Sequence, residues 1–160
     1  MRRILSLAAA AVLALTGCDR AITEPYGPLT GTWRYRATGF ERGTPDLKVS
    51  CAIETTLVIR QEGNEIVGTA AEAPYTCTHF DGRTYTSTQP NGVVAGEVQD
   101  GRVHFSNAGG WHSFGELGPD RVEGYLESYG GQMGPPMQSL RSGSFVMERI
   151  SKQGFHGPRA

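Results

Sequence analysis

Residues 51–60 read CAIETTLVIR, and the side chains of this stretch sort into two alternating sets. Cys51, Ile53, Thr55, Leu57 and Ile59 fall on one side, and Ala52, Glu54, Thr56, Val58 and Arg60 on the other. A period of two belongs to a half-buried strand, because successive side chains of an extended chain point to opposite faces. A helix needs apolar residues three and four apart, and no window from residue 29 onward offers a convincing stripe of that kind.

The same alternation returns on both sides, cut at intervals by turn residues. Glu62-Gly63-Asn64 ends the first run, and residues 65–72 resume it. Asp100-Gly101 separates 92–99 from 102–107 and suits the positive φ angles of a type I′ hairpin turn. Gly118-Pro119-Asp120 separates 111–117 from 121–128. With 30–38, 51–61 and 143–150 these make eight strands in simple up-and-down order. Asp81-Gly82, between 76–80 and 83–88, marks a further hairpin inserted between the third and fourth. An even-numbered antiparallel meander can close on itself and lose its exposed edges. The expected fold is therefore all-β: one up-and-down antiparallel barrel of about eight strands over residues 29–150, with one inserted hairpin. Gly68, Gly96 and Gly124 sit in mid-strand, where a tightly coiled small barrel uses glycine to relieve crowding.

Composition agrees. Gly supplies 22 of 160 residues, charged residues 19%, and the net charge is −1. Such a chain is too Gly-rich for a helical bundle, too near neutrality for charge-driven disorder, and lacks a basic footprint for nucleic acid.

The N-terminus has a separate character. Arg2 and Arg3 precede an apolar run from Ile4 to Leu15, twelve residues long and too short to cross about 30 Å of hydrocarbon as a helix. It reads as a signal peptide. Leu15-Thr16-Gly17-Cys18 resembles the lipobox of bacterial lipoproteins. That resemblance implies cleavage after residue 17, acylation of Cys18 and anchoring in a lipid bilayer, with the domain in the periplasm or on the cell surface. Stable anchoring takes two or more acyl chains at about 0.8 kcal/mol per buried CH₂. Asp19 is an inner-membrane retention signal in enteric members of that family and not in other lineages, so the choice of membrane stays open. Removing residues 1–17 takes the net charge to −3. Residues 18–28 then form the lipidated cysteine and a short tether, and 151–160 a polar, flexible tail.

Cys51 and Cys77 remain once Cys18 is lipidated, and beyond the inner membrane two thiols usually become a disulfide. The chain-entropy model gives such a bridge about 3 kcal/mol. The alternative, a metal or redox pair, lacks Cys-x-x-Cys spacing, and only His79 lies nearby.

Leu29-Thr30-Gly31-Thr32-Trp33 resembles the Gly-x-Trp opening of lipocalins and the Gly-Thr-Trp opening of avidin-like proteins. The hairpins QEGNEIVGT, VQDGRVHFS and ELGPDRVEGYLE are similar to the avidin-like meander. The resemblance implies that Trp33 packs across a closed barrel end while the other end receives a ligand. Trp33 and Trp111, with Tyr129, Met133 and Met137 in a 129–142 loop, are the candidate ligand-binding residues. The same start, with Cys51 and Cys77, is also similar to small periplasmic inhibitors of secreted metalloproteases. The stretch from Trp33 to Cys51 is longer here, and a lipid at Cys18 would tether the trunk that must enter a protease cleft.

Catalytic signals are lacking. Gly110-Trp111-His112-Ser113-Phe114-Gly115 departs from Gly-x-Ser-x-Gly, and neighbours on a strand cannot share a proton directly. Two settings of that strand are open: Trp111 and Ser113 inward, or His112 and Phe114 inward. With Val103 and Phe105 inward, His104 is a solvated outer residue, and no histidine spacing suggests a metal or cofactor site. Glu116, Asp120, Glu123 and Glu127 read as solvated charge. The expected function is that of a non-catalytic envelope lipoprotein binding a small apolar or amphipathic ligand. The alternatives are a protein-interaction or inhibitor-like barrel that engages another envelope protein, and a structural lipoprotein. A ligand pocket of several hundred Å³ would mark the first, a filled barrel with a distinctive outer face the second.

Overall fold

The computed structural model describes residues 28–42, 49–107, 111–129 and 139–152. Ten strands account for nearly all of them: β1 (Gly31–Arg42), β2 (Val49–Glu62), β3 (Glu65–Ala70), β4 (Ala73–His79), β5 (Thr84–Gln89), β6 (Gly92–Gln99), β7 (Arg102–Asn107), β8 (Trp111–Leu117), β9 (Arg121–Tyr129) and β10 (Ser139–Ser151). No helix occurs among the described residues, so none there is long and apolar enough to cross a membrane.

Every pairing is antiparallel. The order β1-β10-β9-β8-β7-β6-β3-β2 is closed by pairing of β1 with β2, giving an eight-strand barrel with β4 and β5 outside the ring. Closure brings the first described strand beside the last. Trp33 is opposite Arg149 on β10 and opposite Leu57 on β2.

The inserted hairpin is more than an excursion. β3 pairs with the lower half of β2 and β4 with its upper half, shifted by one residue at Ala71-Glu72. β3 with β6 and β4 with β5 keep a common register. Two long ribbons thus leave the barrel wall together and continue past its rim as β4–β5. Cys51 and Cys77 are register partners on β2 and β4, bridged as a disulfide and buried. The bridge fastens this extension to the wall.

Local chemistry places the turns. Asp100 and Gly101 have φ of 50° and 76°, the pair of positive angles a type I′ turn requires. At Asp81-Gly82 the expectation of a two-residue turn is corrected. Residues 80–83 form the loop, closed by His79 N–H donating to the Arg83 carbonyl (2.8 Å), and only Gly82 there has positive φ. β10 also begins earlier than expected: Ser139, Leu140 and Arg141 pair with Tyr129, Ser128 and Glu127. The loop read as 129–142 is correspondingly shorter, and Ser151, assigned to the tail, pairs with Thr32.

The inner face is a single apolar core. Tyr35, Phe105 and Phe145 meet at its centre, Tyr35 stacked on Phe145 at 5.5 Å and Phe105 edge-on to both. Glycine makes room for them. A Cβ on Gly115 would come within 2.8 Å of the Phe145 ring, and one on Gly124 would collide with the Phe114 carbonyl oxygen of the adjacent strand. Smooth aliphatic strands at these positions would hold the wall away from the aromatic centre.

Candidate functional site

The two barrel ends differ. One is shut by Trp33, whose indole N–H donates to the Leu29 carbonyl (2.8 Å), and by Gln61, whose side-chain oxygen accepts from the Leu29 N–H (3.0 Å). Gln61 also donates to the Gly63 carbonyl (2.7 Å), so this buried amide is satisfied at both ends. The Arg149 guanidinium lies 4.1 Å from the centre of the Trp33 ring. It donates to Asp120 Oδ1 (2.8 Å) and to the carbonyls of Thr30 (2.8 Å), Pro28 and Pro119. Only 8% of the Arg149 side chain is exposed. A planar cation that stacks on an indole while serving several acceptors seals this end without an orphaned charge.

At the other end lies a cavity of about 50 Å³, lined chiefly by Ala37, Ile53, Leu57, Val94, Trp111 and Leu126. Its polar groups are few: Thr55, Gln89, Asn107, and the pair Tyr35 and Ser113, whose hydroxyls are 3.3 Å apart. Burial pushes the Tyr35 phenol up to about 12, with the Ser113 hydrogen bond opposing in part. Asn107 Oδ1 accepts from the Trp111 N–H (3.3 Å), tying β7 to β8 at the rim. The cavity is small because the Tyr35–Phe105–Phe145 cluster fills the barrel just beneath it. The larger hollows, about 1,270 Å³ along His104, Phe114 and Tyr125 and about 730 Å³ along Thr56, Val58 and Val93, are open to solvent along the wall and are separate from this mouth cavity.

The strand setting left open in the sequence is resolved: Trp111 and Ser113 face inward and His112 and Phe114 outward. Trp111 lines the mouth, whereas Trp33 is fully buried at the closed end and stands apart from it. Tyr129 ends β9, and its side chain, like Met133, Met137 and Cys18, lies outside the described residues. Gln61, Arg149, Tyr35 and Phe145 were missed as determinants of the two ends. Their roles depend on partners roughly 30 to 120 residues away in the chain, which no local pattern announces.

The outer face carries a second arrangement. His104, Phe114 and Tyr125 stack across β7, β8 and β9, with ring centres 4.3 Å and 5.5 Å apart. His104 Nε2 and His112 Nδ1 are 2.9 Å apart, so His104 is half-buried and bonded where a solvated residue was expected. His112 is held below the usual histidine range by burial, then by the His104 charge, with Glu127 opposing. Two of the acidic residues read as merely solvated are engaged as well, Asp120 by Arg149 and Glu123 by Arg121 (3.0 Å). No three His, Cys, Asp or Glu among the described residues are grouped to hold a metal ion.

Comparison with protein families, with curated proteins and with solved structures finds no match to this chain.

Proposed function

We propose that this protein is a non-catalytic binding module, anchored in a bilayer through lipid on Cys18, that receives the end of a small apolar or amphipathic ligand at the barrel mouth. The observation that carries this reading is the apolar mouth cavity with Trp111 on its rim. Its size restricts what enters. Sites that swallow a drug-sized ligand run to about 300–1,000 Å³, and about 50 Å³ admits only a few heavy atoms, such as the tip of an alkyl chain. The rest of the ligand stays outside.

The two tryptophans make the test direct. Trp33 is sealed and Trp111 half-buried, so an apolar probe at the mouth quenches or blue-shifts the fluorescence of Trp111 alone. Titration of the protein with an alkyl-chain fluorophore gives a saturable signal that Trp111→Phe removes. An Ala37→Leu variant, which fills the cavity, weakens binding at least tenfold. A signal unchanged by both substitutions defeats the proposal. Mass spectrometry of membrane-extracted protein checks the anchor: acyl chains on Cys18, absent after Cys18→Ser.

The second reading, an interaction barrel for another envelope protein, is favoured by the His104–Phe114–Tyr125 row, an aromatic stripe on the outer wall. Replacing Phe114 and Tyr125 with Ser would then abolish partner capture while leaving probe binding intact.

A further inference from the structure

β5 ends the sheet. β4 lies on one side of it, and no described strand pairs with the other. The hairpin geometry decides which backbone groups are left over. His79 N–H donates to the Arg83 carbonyl, so His79 and Arg83 face each other. Stepping by two along the β4–β5 register, Tyr85, Ser87 and Gln89 turn their N–H and C=O groups toward β4. Thr84, Thr86 and Thr88 turn theirs outward.

Natural sheets guard such edges with lysine, proline, a bulge or a covering element. β5 reads Thr-Tyr-Thr-Ser-Thr-Gln, without a charge, a proline or a glycine. Residues 84–88 are all exposed. The nearest charges, Asp81 and Arg83, are paired with each other at 2.6 Å. An edge that is β-prone, uncharged and self-similar is fitted to a copy of itself.

We propose that two copies of this protein associate by antiparallel pairing of β5 with β5, about a two-fold axis through Thr86. With Thr86 opposite its own counterpart, Thr84 of each copy meets Thr88 of the other, and all the outward backbone groups of the three threonines are satisfied. Side chains agree with this register. Thr76 and Thr86 already contact across β4 and β5 (3.3 Å), and pairing extends that row through the second Thr86 to the second Thr76. Tyr85, 40% exposed, falls opposite Ser87 of the other copy. The turn bearing Phe80, 86% exposed, comes alongside Gly92 and Val93, of which Val93 is 64% exposed. A six-residue strand pair buries less than the roughly 1,200 Å² typical of a stable interface, so the association is weak and concentration-dependent. It does not depend on the ligand reading of the mouth.

The test is sedimentation velocity on the full chain in density-matched detergent, from about 10 µM to about 1 mM, the range in which so small an interface acts. Self-association is expected, weakened at least tenfold by Thr86→Pro. From the backbone that substitution removes an outward N–H and leaves the β4–β5 ladder whole, and from the side chains it gives up one exposed hydroxyl contact with Thr76. Thr86→Lys, which places like charges across the axis, gives the same result should the proline variant misfold. Under oxidation, Thr86→Cys yields a covalent dimer and Thr69→Cys, on β3 of the barrel wall, does not. A chain that stays monomeric throughout, a dimer indifferent to substitution at Thr86, or capture of a foreign extended peptide in place of a second copy each overturns the proposal.

Discussion

Tyr35 carries its hydroxyl into the barrel to meet Ser113, and burial raises its phenol to about 12 from an ordinary value of 10.0. Below pH 10 the folded and unfolded chains both hold that proton. Between about 10 and about 12 the unfolded chain releases it and the folded chain does not, so stability falls as pH rises, by up to about 3 kcal/mol. Tyr35→Phe flattens this slope, as urea midpoints from pH 9 to 12 would report. His112 has the opposite sense. Its folded value is depressed, so its contribution is present above the ordinary histidine value of 6.5 and is lost as pH falls through the folded value. An NMR titration of the imidazole places the His112 midpoint below 6.5, and His104→Ala moves it up by removing a neighbouring positive charge. The pairing behind both predictions was invisible in sequence. Tyr35 and Ser113 are 78 residues apart, while His104 and His112 meet diagonally only because β7 and β8 take one register.

At the scale of the strand, alternation and turn chemistry were legible because each acts between near neighbours. The inward set Cys51, Ile53, Thr55, Leu57 and Ile59 of β2 is buried or half-buried throughout and holds every fully buried residue of that stretch. Asp100-Gly101 turns as its residue types require. What misled the reading were positions where the chain changes partner. At Ala71-Glu72 the register slips by one, so inward residues are even-numbered in β3 (Ile66, Ala70) and odd-numbered in β4 (Ala73, Cys77). Such a bulge leaves a weak local trace. The mid-strand glycines were legible as sites of close approach, and the structure names what approaches: the Phe114 carbonyl at Gly124 and the His104 carbonyl at Gly96. Gly124→Ala forces the β8 backbone to move, with an expected loss of about 1–3 kcal/mol from overpacking. Thermal unfolding checks this, and Gly63→Ser, at a turn with open space around it, measures the separate effect of side-chain strain at positive φ.

For the whole molecule, closure is the decisive event, and Arg149 is its test. The guanidinium joins β10 to Trp33, to the segment before β1 and to the β8–β9 turn. Lysine keeps the charge but has neither the planar face nor the forked donors. Arg149→Lys should lower stability by about 2 kcal/mol and dull the near-ultraviolet dichroism of Trp33, with the environment of Trp111 at the far mouth unaffected. A period of two, turn dipeptides and an even strand count made an all-β meander readable from residues 29–150 alone, since each signal is carried by residues within a few positions of one another. How full the barrel is, and which residues seal it, were settled only in three dimensions. The cavity is what remains of the interior after Tyr35, Phe105 and Phe145, from strands far apart along the chain, have been packed together, and a small difference between volumes has no signature in any one segment.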